Sequence, residues 1–225
     1  MVPWRGYYAI LDLTSELVRD VDAACARALR RLAAGPCCLQ VRAKGASAAD
    51  LLALGRALLP LARSVGVPLC INDRLDVALA LGADFVHLGQ DDLPLGAARR
   101  VAGGRLGIGI STHTRADVEA ALAGGADYLG FGPIHATATK TNPDPVVGLT
   151  ALAEICRVAA PVPVVAIGGI TLEGVGAVAE AGAAAAALIS AVDRAADPAQ
   201  AGRAVNHAFG VASGVAVGVP APIPR

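Results

Sequence analysis

Short apolar, β-prone runs alternate with Ala- and Leu-rich helical runs eight times along this chain, and no other feature limits its fold so much. The extended runs fall at residues 7–11, 37–42, 69–71, 85–88, 106–110, 126–131, 162–167 and 184–189. The helical runs that follow them cover about 15–34, 47–65, 75–81, 94–102, 115–123, 149–158, 172–181 and 198–209. Strands that alternate with helices imply right-handed βαβ units and a parallel sheet. Eight such units in 225 residues favour a single (β/α)8 TIM barrel over a doubly wound sheet. The punctuation agrees. Gly35-Pro36 closes the first helical run, and Gly82-Ala83-Asp84, Gly125-Ala126-Asp127 and Gly182-Ala183-Ala184 precede later strands, where Gly suits a helix C-cap. The barrel is expected over residues 1–210. The Gly- and Pro-rich stretch 211–225 lacks periodicity and is expected to fray.

Composition excludes several functions. Hydrophobic residues make up 55% of the chain, enough for a core, yet only 3% are aromatic, so small side chains must pack helices closely on the sheet. Nineteen basic residues balance nineteen acidic ones, which leaves no electrostatic footprint for nucleic acid. Charges interrupt every apolar run before it reaches the ~18 residues of a membrane span. The start, Met1-Val2-Pro3-Trp4-Arg5, lacks the basic and apolar regions of a secretory signal, so a cytoplasmic location is expected. Five cysteines at irregular spacing, Cys25, Cys37, Cys38, Cys70 and Cys156, fit neither a disulfide framework nor a zinc site and read as small hydrophobes.

In this architecture chemistry collects at the C-terminal ends of the strands. Unusual polar residues gather there. In Gln40-Val41-Arg42-Ala43-Lys44, alternation puts Gln40, Arg42 and Lys44 on one face, where an amide, a guanidinium and an ammonium can clamp an anion. Asn72-Asp73 ends the third strand, and His87-Leu88-Gly89-Gln90-Asp91-Asp92 spans the end of the fourth. Asp73 and Asp92 on adjacent strands can hold one Mg²⁺ whose remaining positions go to water and substrate phosphate. Both are also suited to helix N-caps, and Asp91 competes with Asp92 for the metal role. Ser111 follows the fifth strand, and Thr114 reads as an N-cap. His113 and His135 are candidate acid–base residues, whereas His87 lies inside a strand and reads as structural.

The sixth strand runs into Gly132-Pro133-Ile134-His135-Ala136-Thr137-Ala138-Thr139-Lys140. Its loop, continuing to Gly148, is long for a strand-to-helix connection, as binding loops often are. Thr137, Thr139 and Lys140 group hydroxyl and ammonium donors suited to phosphate or pyrophosphate. Gly168-Gly169 after the seventh strand, with Ile189-Ser190 after the eighth, match the position of a common phosphate site in this fold. Two anion sites flanking one metal site suggest that two phosphorylated substrates are joined.

Gln40-x-Arg42-x-Lys44, Asn72-Asp73, His87-Leu88-Gly89-Gln90-x-Asp92, Gly132-Pro133-Ile134 with Thr137-x-Thr139-Lys140, and Ile167-Gly168-Gly169-Ile170 together resemble the thiamine phosphate synthase family over residues 7–209. The resemblance implies coupling of a hydroxymethylpyrimidine diphosphate with a thiazole phosphate, giving thiamine phosphate and pyrophosphate by a dissociative route through a pyrimidine-methyl cation. It implies that Gln40, Arg42, Lys44 and Asn72 hold the pyrimidine diphosphate, and that Ser111 and Lys140 contact the diphosphate or the pyrimidine. Asp73 and Asp92 would bind Mg²⁺, while Thr137, Thr139, Gly169, Ile189 and Ser190 would hold the thiazole phosphate. Lys140, Arg42 and Ser111 are the implied catalytic residues. The chain departs from the family pattern at His135-Ala136, where an aromatic residue and Pro are common. Two alternatives share the barrel: a thiazole tautomerase, and a non-catalytic sensor of a phosphorylated ligand. The expected partners are small molecules.

Overall fold

Eight parallel strands close on themselves in sequence order. The computed structural model describes residues 4–137 and 145–212. The strands are β1 (Gly6–Asp12), β2 (Cys38–Arg42), β3 (Leu69–Asn72), β4 (Phe85–Leu88), β5 (Gly107–Thr112), β6 (Tyr128–Phe131), β7 (Val164–Ile167) and β8 (Ala185–Leu188). β8 returns to β1 with Ala185 opposite Gly6, so no strand presents an open edge. The (β/α)8 barrel expected from the alternation is therefore observed.

The two-residue period sorts the strand side chains into two layers. In β1, Tyr7, Ala9 and Leu11 face outward into the main core beneath the helices. Tyr8 and Ile10 face inward, joined inside the barrel by Cys38, Cys70, Tyr128, Val165 and Ala187. The run of alanines in β8 occupies little space, which leaves room for the two tyrosines within. Gly109 of β5 makes one of these fits possible: a Cβ there would lie 2.0 Å from Cζ of Tyr128. Trp4 seals the lower end, stacking on Tyr128 at a centroid separation of 4.2 Å and meeting Phe85 edge-on at 5.0 Å.

Helix boundaries follow local chemistry. The first helical run is not continuous. It splits into α1 (Ser15–Arg19) and α2 (Val21–Leu32) at Asp20, whose carboxylate leaves the helix to accept a bond from the Ala23 N–H at 3.1 Å. α3 (Ala48–Ser64), α4 (Leu75–Leu81) and α5 (Leu95–Ala102) follow, the latter two ending in left-handed Gly82 and Gly103. α6 (Arg115–Ala123) begins at Thr114, the N-cap its sequence predicts, and Asp117 completes a capping box with it. α7 (Gly148–Ala159) and α8 (Val175–Glu180) complete the next two units.

A short helix that the alternation does not predict, α9 (Ser190–Asp193), leaves β8 directly and precedes α10 (Pro198–Ala208). Arg31 of α2 reaches it through the core. Only 2% exposed, Arg31 pairs with Asp193 and donates from Nε to the Ile10 carbonyl at 3.2 Å. Asn206 of α10 ties the last helix to the first strand: Oδ1 accepts from the Tyr7 N–H at 2.8 Å, and Nδ2 donates to the Ala34 carbonyl at 2.7 Å. All five cysteines are free. Burial pushes the Cys37 thiol up to about 12, in keeping with a packing role. Among the described residues no helix is long and apolar enough to cross a membrane.

Candidate active site

A cavity of about 460 Å³ opens at the C-terminal ends of the strands. Its first wall comes from β2, where Gln40 and Arg42 line the space as strand alternation requires, and from Lys44 in the turn just beyond it. Arg42 is held from behind. Its Nη1 lies 2.6 Å from Oδ1 of Asp12, the residue paired with it across the β1–β2 register. Such a charge-assisted bond fixes the guanidinium and leaves its remaining N–H groups for a ligand. Nothing local in the sequence marks Asp12, because only the register places it beside Arg42.

Asn72, Asp73 and Asp92 form the second wall. Asp73 adopts a left-handed backbone, φ 63°, the only residue other than Gly to do so among the described residues. Aspartate tolerates this conformation better than most residues. The turn is fixed by the Asp73 N–H to the His87 carbonyl and the Arg74 N–H to the Asn72 carbonyl, both 2.8 Å. Neither aspartate caps a helix: Arg74 precedes α4 and Pro94 precedes α5. Asp92 instead accepts the Gly89 N–H at 2.6 Å, which bends the β4–α5 loop inward. It is Asp92, not Asp91, that meets Asp73. Burial, followed by the charge of Asp92 and a hydrogen bond with it, raises the Asp73 carboxyl to about 6, while Lys44 and Arg42 pull the other way.

Two carboxylates forced together at a half-buried mouth fit a divalent cation. Among the described residues no group of three or more His, Cys, Asp or Glu side chains is disposed to hold a metal. Of the described residues, Asp73 and Asp92 would be the protein's ligands. That suits Mg²⁺, an oxygen-seeking ion that keeps waters and takes substrate phosphates.

The third wall joins the loops after β6 and β7. The Ile134 N–H donates to the Ile167 carbonyl and the His135 N–H to the Gly168 carbonyl, both at 3.0 Å. This contact needs glycine. Gly169 has φ 64°, and a Cβ there would lie 2.5 Å from the Ala136 carbonyl oxygen. Thr137, Gly169, Ile189 and Ser190 reach the cavity from this side. Thr139 and Lys140 lie outside the described residues.

The histidines divide. His113 lines the cavity, and its Nδ1 donates to the Gly132 carbonyl at 2.6 Å; His135 is exposed and outside the cavity lining. His87 faces inward and lines the floor, with Nδ1 2.9 Å from the Tyr128 hydroxyl and Nε2 2.9 Å from Ser111 Oγ. Burial lowers its pKa to about 4, so the ring is neutral. Tyr8 and Tyr128 also line the floor, and no local sequence signal marks them, because a barrel interior joins strands distant in sequence.

A glycine-lined turn, two cationic side chains and a carboxylate pair share one cavity at the mouth of a (β/α)8 barrel, the arrangement of a barrel enzyme. The family model described as thiamine monophosphate synthase matches residues 8–192, and the chain belongs to that family. It is 51% identical over 164 residues to a thiamine-phosphate synthase of Anaeromyxobacter dehalogenans, covering 73% of each chain. It is 45% identical over 183 residues to one from a Roseiflexus species, covering 81% of this chain and 76% of the relative. The structure of a thiamine phosphate pyrophosphorylase from Pyrococcus furiosus superposes with a TM-score of 0.78 at 31% identity, covering 96% of this chain and 98% of that one.

Proposed function

We propose that this chain is a thiamine phosphate synthase. It would couple 4-amino-2-methyl-5-hydroxymethylpyrimidine diphosphate with 4-methyl-5-(2-phosphooxyethyl)thiazole, or its carboxylated form, in the presence of Mg²⁺. The observation that carries this reading is the convergence of Arg42 and Lys44 with the Asp73–Asp92 pair at one side of a cavity whose other side is the glycine-lined turn at Gly169.

Arg42, Lys44 and Asn72 would hold the diphosphate, and Gln40 and Ser111 the pyrimidine. The C–O bond to the pyrimidine methylene breaks, its electron pair leaves with pyrophosphate, and the thiazole nitrogen then donates its lone pair to the methylene carbon. Mg²⁺ held by Asp73 and Asp92 would supply electrostatic stabilisation to the departing pyrophosphate. Arg42, braced by Asp12, would add a fixed positive charge without reorganisation. Lys140 is assigned the same task on the strength of the family motif. Thr137, Thr139, Gly169, Ile189 and Ser190 would seat the thiazole phosphate so that its nitrogen meets the cation in line. No nucleophilic side chain is required.

Purified protein incubated with both substrates and Mg²⁺ should form thiamine phosphate and pyrophosphate together, and EDTA should abolish both. Absence of both products with Mg²⁺ present would reject the coupling reaction. His113 in the cavity favours one second reading, a thiazole tautomerase, which would interconvert thiazole isomers without the pyrimidine substrate.

A further inference from the structure

A line of five polar side chains crosses the floor of the cavity from β2 to β5. Gln40 Nε2 donates to the Tyr8 hydroxyl at 2.9 Å, and that hydroxyl lies 2.8 Å from the Tyr128 hydroxyl. Tyr128 reaches His87 Nδ1, and His87 Nε2 reaches Ser111 Oγ, each at 2.9 Å. The path links β2, β1, β6, β4 and β5 through the barrel interior.

With the Gln40 amide nitrogen toward Tyr8, the protons on this line have one satisfactory arrangement. An amide nitrogen can only donate, so Tyr8 accepts from Gln40 and has its own proton to place. Passed to Tyr128, that proton frees Tyr128 to donate to His87 Nδ1. The neutral imidazole then carries its hydrogen on Nε2 and donates to Ser111, whose own hydroxyl proton points to the cavity. Each hydroxyl accepts once and donates once. In the reverse arrangement Tyr8 accepts from both neighbours, and its proton is left with only cysteine sulfur nearby, a weak acceptor. Inside a barrel a poorly placed proton is costly.

We propose that Tyr8, Tyr128 and His87 form a one-way hydrogen-bond chain that fixes Gln40 as an acceptor and Ser111 as a donor toward the cavity, so that the floor selects an aminopyrimidine over its oxo analogue. The proposal deepens the coupling function above and rests on it for the identity of the ligand. With Nε2 donating to Tyr8, Oε1 is the Gln40 side-chain atom without a partner among the described residues. An exocyclic amine donates to such an oxygen, whereas a carbonyl oxygen meets it lone pair to lone pair. A ring nitrogen accepts from Ser111, while a lactam N–H does not. Tyr8, Tyr128 and His87 are thus positioning residues for specificity.

Nitrogen-15 NMR of the intact, wild-type protein tests the chain directly. His87, assigned by the signal lost in His87→Gln, is expected as the neutral Nε2–H tautomer; the Nδ1–H tautomer overturns the proposal. Tyr128→Phe should yield a mixture of tautomers. Specificity is read as the ratio of kcat/KM for the amino substrate to that for its 4-oxo analogue, compared between variants so that intrinsic reactivity cancels. Tyr8→Phe and Tyr128→Phe should each lower this ratio at least tenfold, and a ratio unchanged in both soluble variants overturns the proposal. If wild-type protein makes no thiamine phosphate, the coupling function fails while the tautomer still decides the chain.

Discussion

Replacing Asp92 by Asn should stabilise the metal-free protein while removing its response to Mg²⁺. The Asp73 carboxyl is raised from 3.8 to about 6, first by burial, then by Asp92. That difference of roughly two pH units would correspond to about 3 kcal/mol at ~1.4 kcal/mol per unit. Asp73 is only half-buried, however, so water screens much of it, and Asp92 supplies only part. A gain of about 0.5–1 kcal/mol at pH 7.5 follows, or ~1–4 °C in Tm for a domain of this size. The sign depends on pH. In the folded protein Asp73 keeps its proton between pH 3.8 and about 6, where the unfolded chain has lost it, so wild-type stability falls as pH rises through this window. Below it both states are protonated and the variant gains nothing. The Asn side-chain oxygen can still accept the Gly89 N–H, so the loop is retained. Differential scanning fluorimetry at pH 4 and pH 7.5, with and without saturating Mg²⁺, measures all four corners. Wild type should gain Tm with Mg²⁺ at pH 7.5, and Asp92→Asn should not. A variant less stable than wild type by the same amount at both pH values would show that Asp92 is merely a structural brace and refute the argument.

Asp193→Ala would leave Arg31 buried without its carboxylate partner, a loss of about 3 kcal/mol measurable by urea unfolding. Gly169→Ala combines a left-handed backbone with a 2.5 Å clash against the Ala136 carbonyl oxygen. It should raise KM for the thiazole phosphate about tenfold or more and cost roughly 1–3 kcal/mol of stability, read by steady-state kinetics and thermal melts. Asp12→Asn releases Arg42 from its 2.6 Å brace and should lower kcat/KM for the pyrimidine diphosphate about tenfold, near 1.4 kcal/mol, with Tm little changed.

The barrel was legible because its evidence is periodic: eight alternations, glycine stops, and strand ends at which polar residues collect. The break at Asp20 was not, since the apolar pattern runs across it and only the capping preference of aspartate marks the site. α9 was hidden because Ser190 lies where the strand pattern of β8 runs out, and four residues carry no helical period. β7 begins at Val164, later than its apolar run implies, because Pro163 before it has no N–H for the ladder. Within the site, strand geometry alone places Gln40 and Arg42 on one face, while Lys44 reaches the same cavity from the turn beyond β2. Asp12 required the β1–β2 register, and the Tyr8–Tyr128–His87 line required closure of the barrel, since those residues are neighbours only across its interior.

The space that Gly109 leaves for the ring of Tyr128 makes these two positions a single unit of sequence variation. A side chain at 109 would demand a smaller one at 128, and a smaller one there would take away the hydroxyl that faces His87. In a library randomised at both positions and selected for growth without thiamine, Tyr128 should therefore return only together with Gly109. Selection acting on one ring's chemistry would be read out at a residue that has no side chain at all.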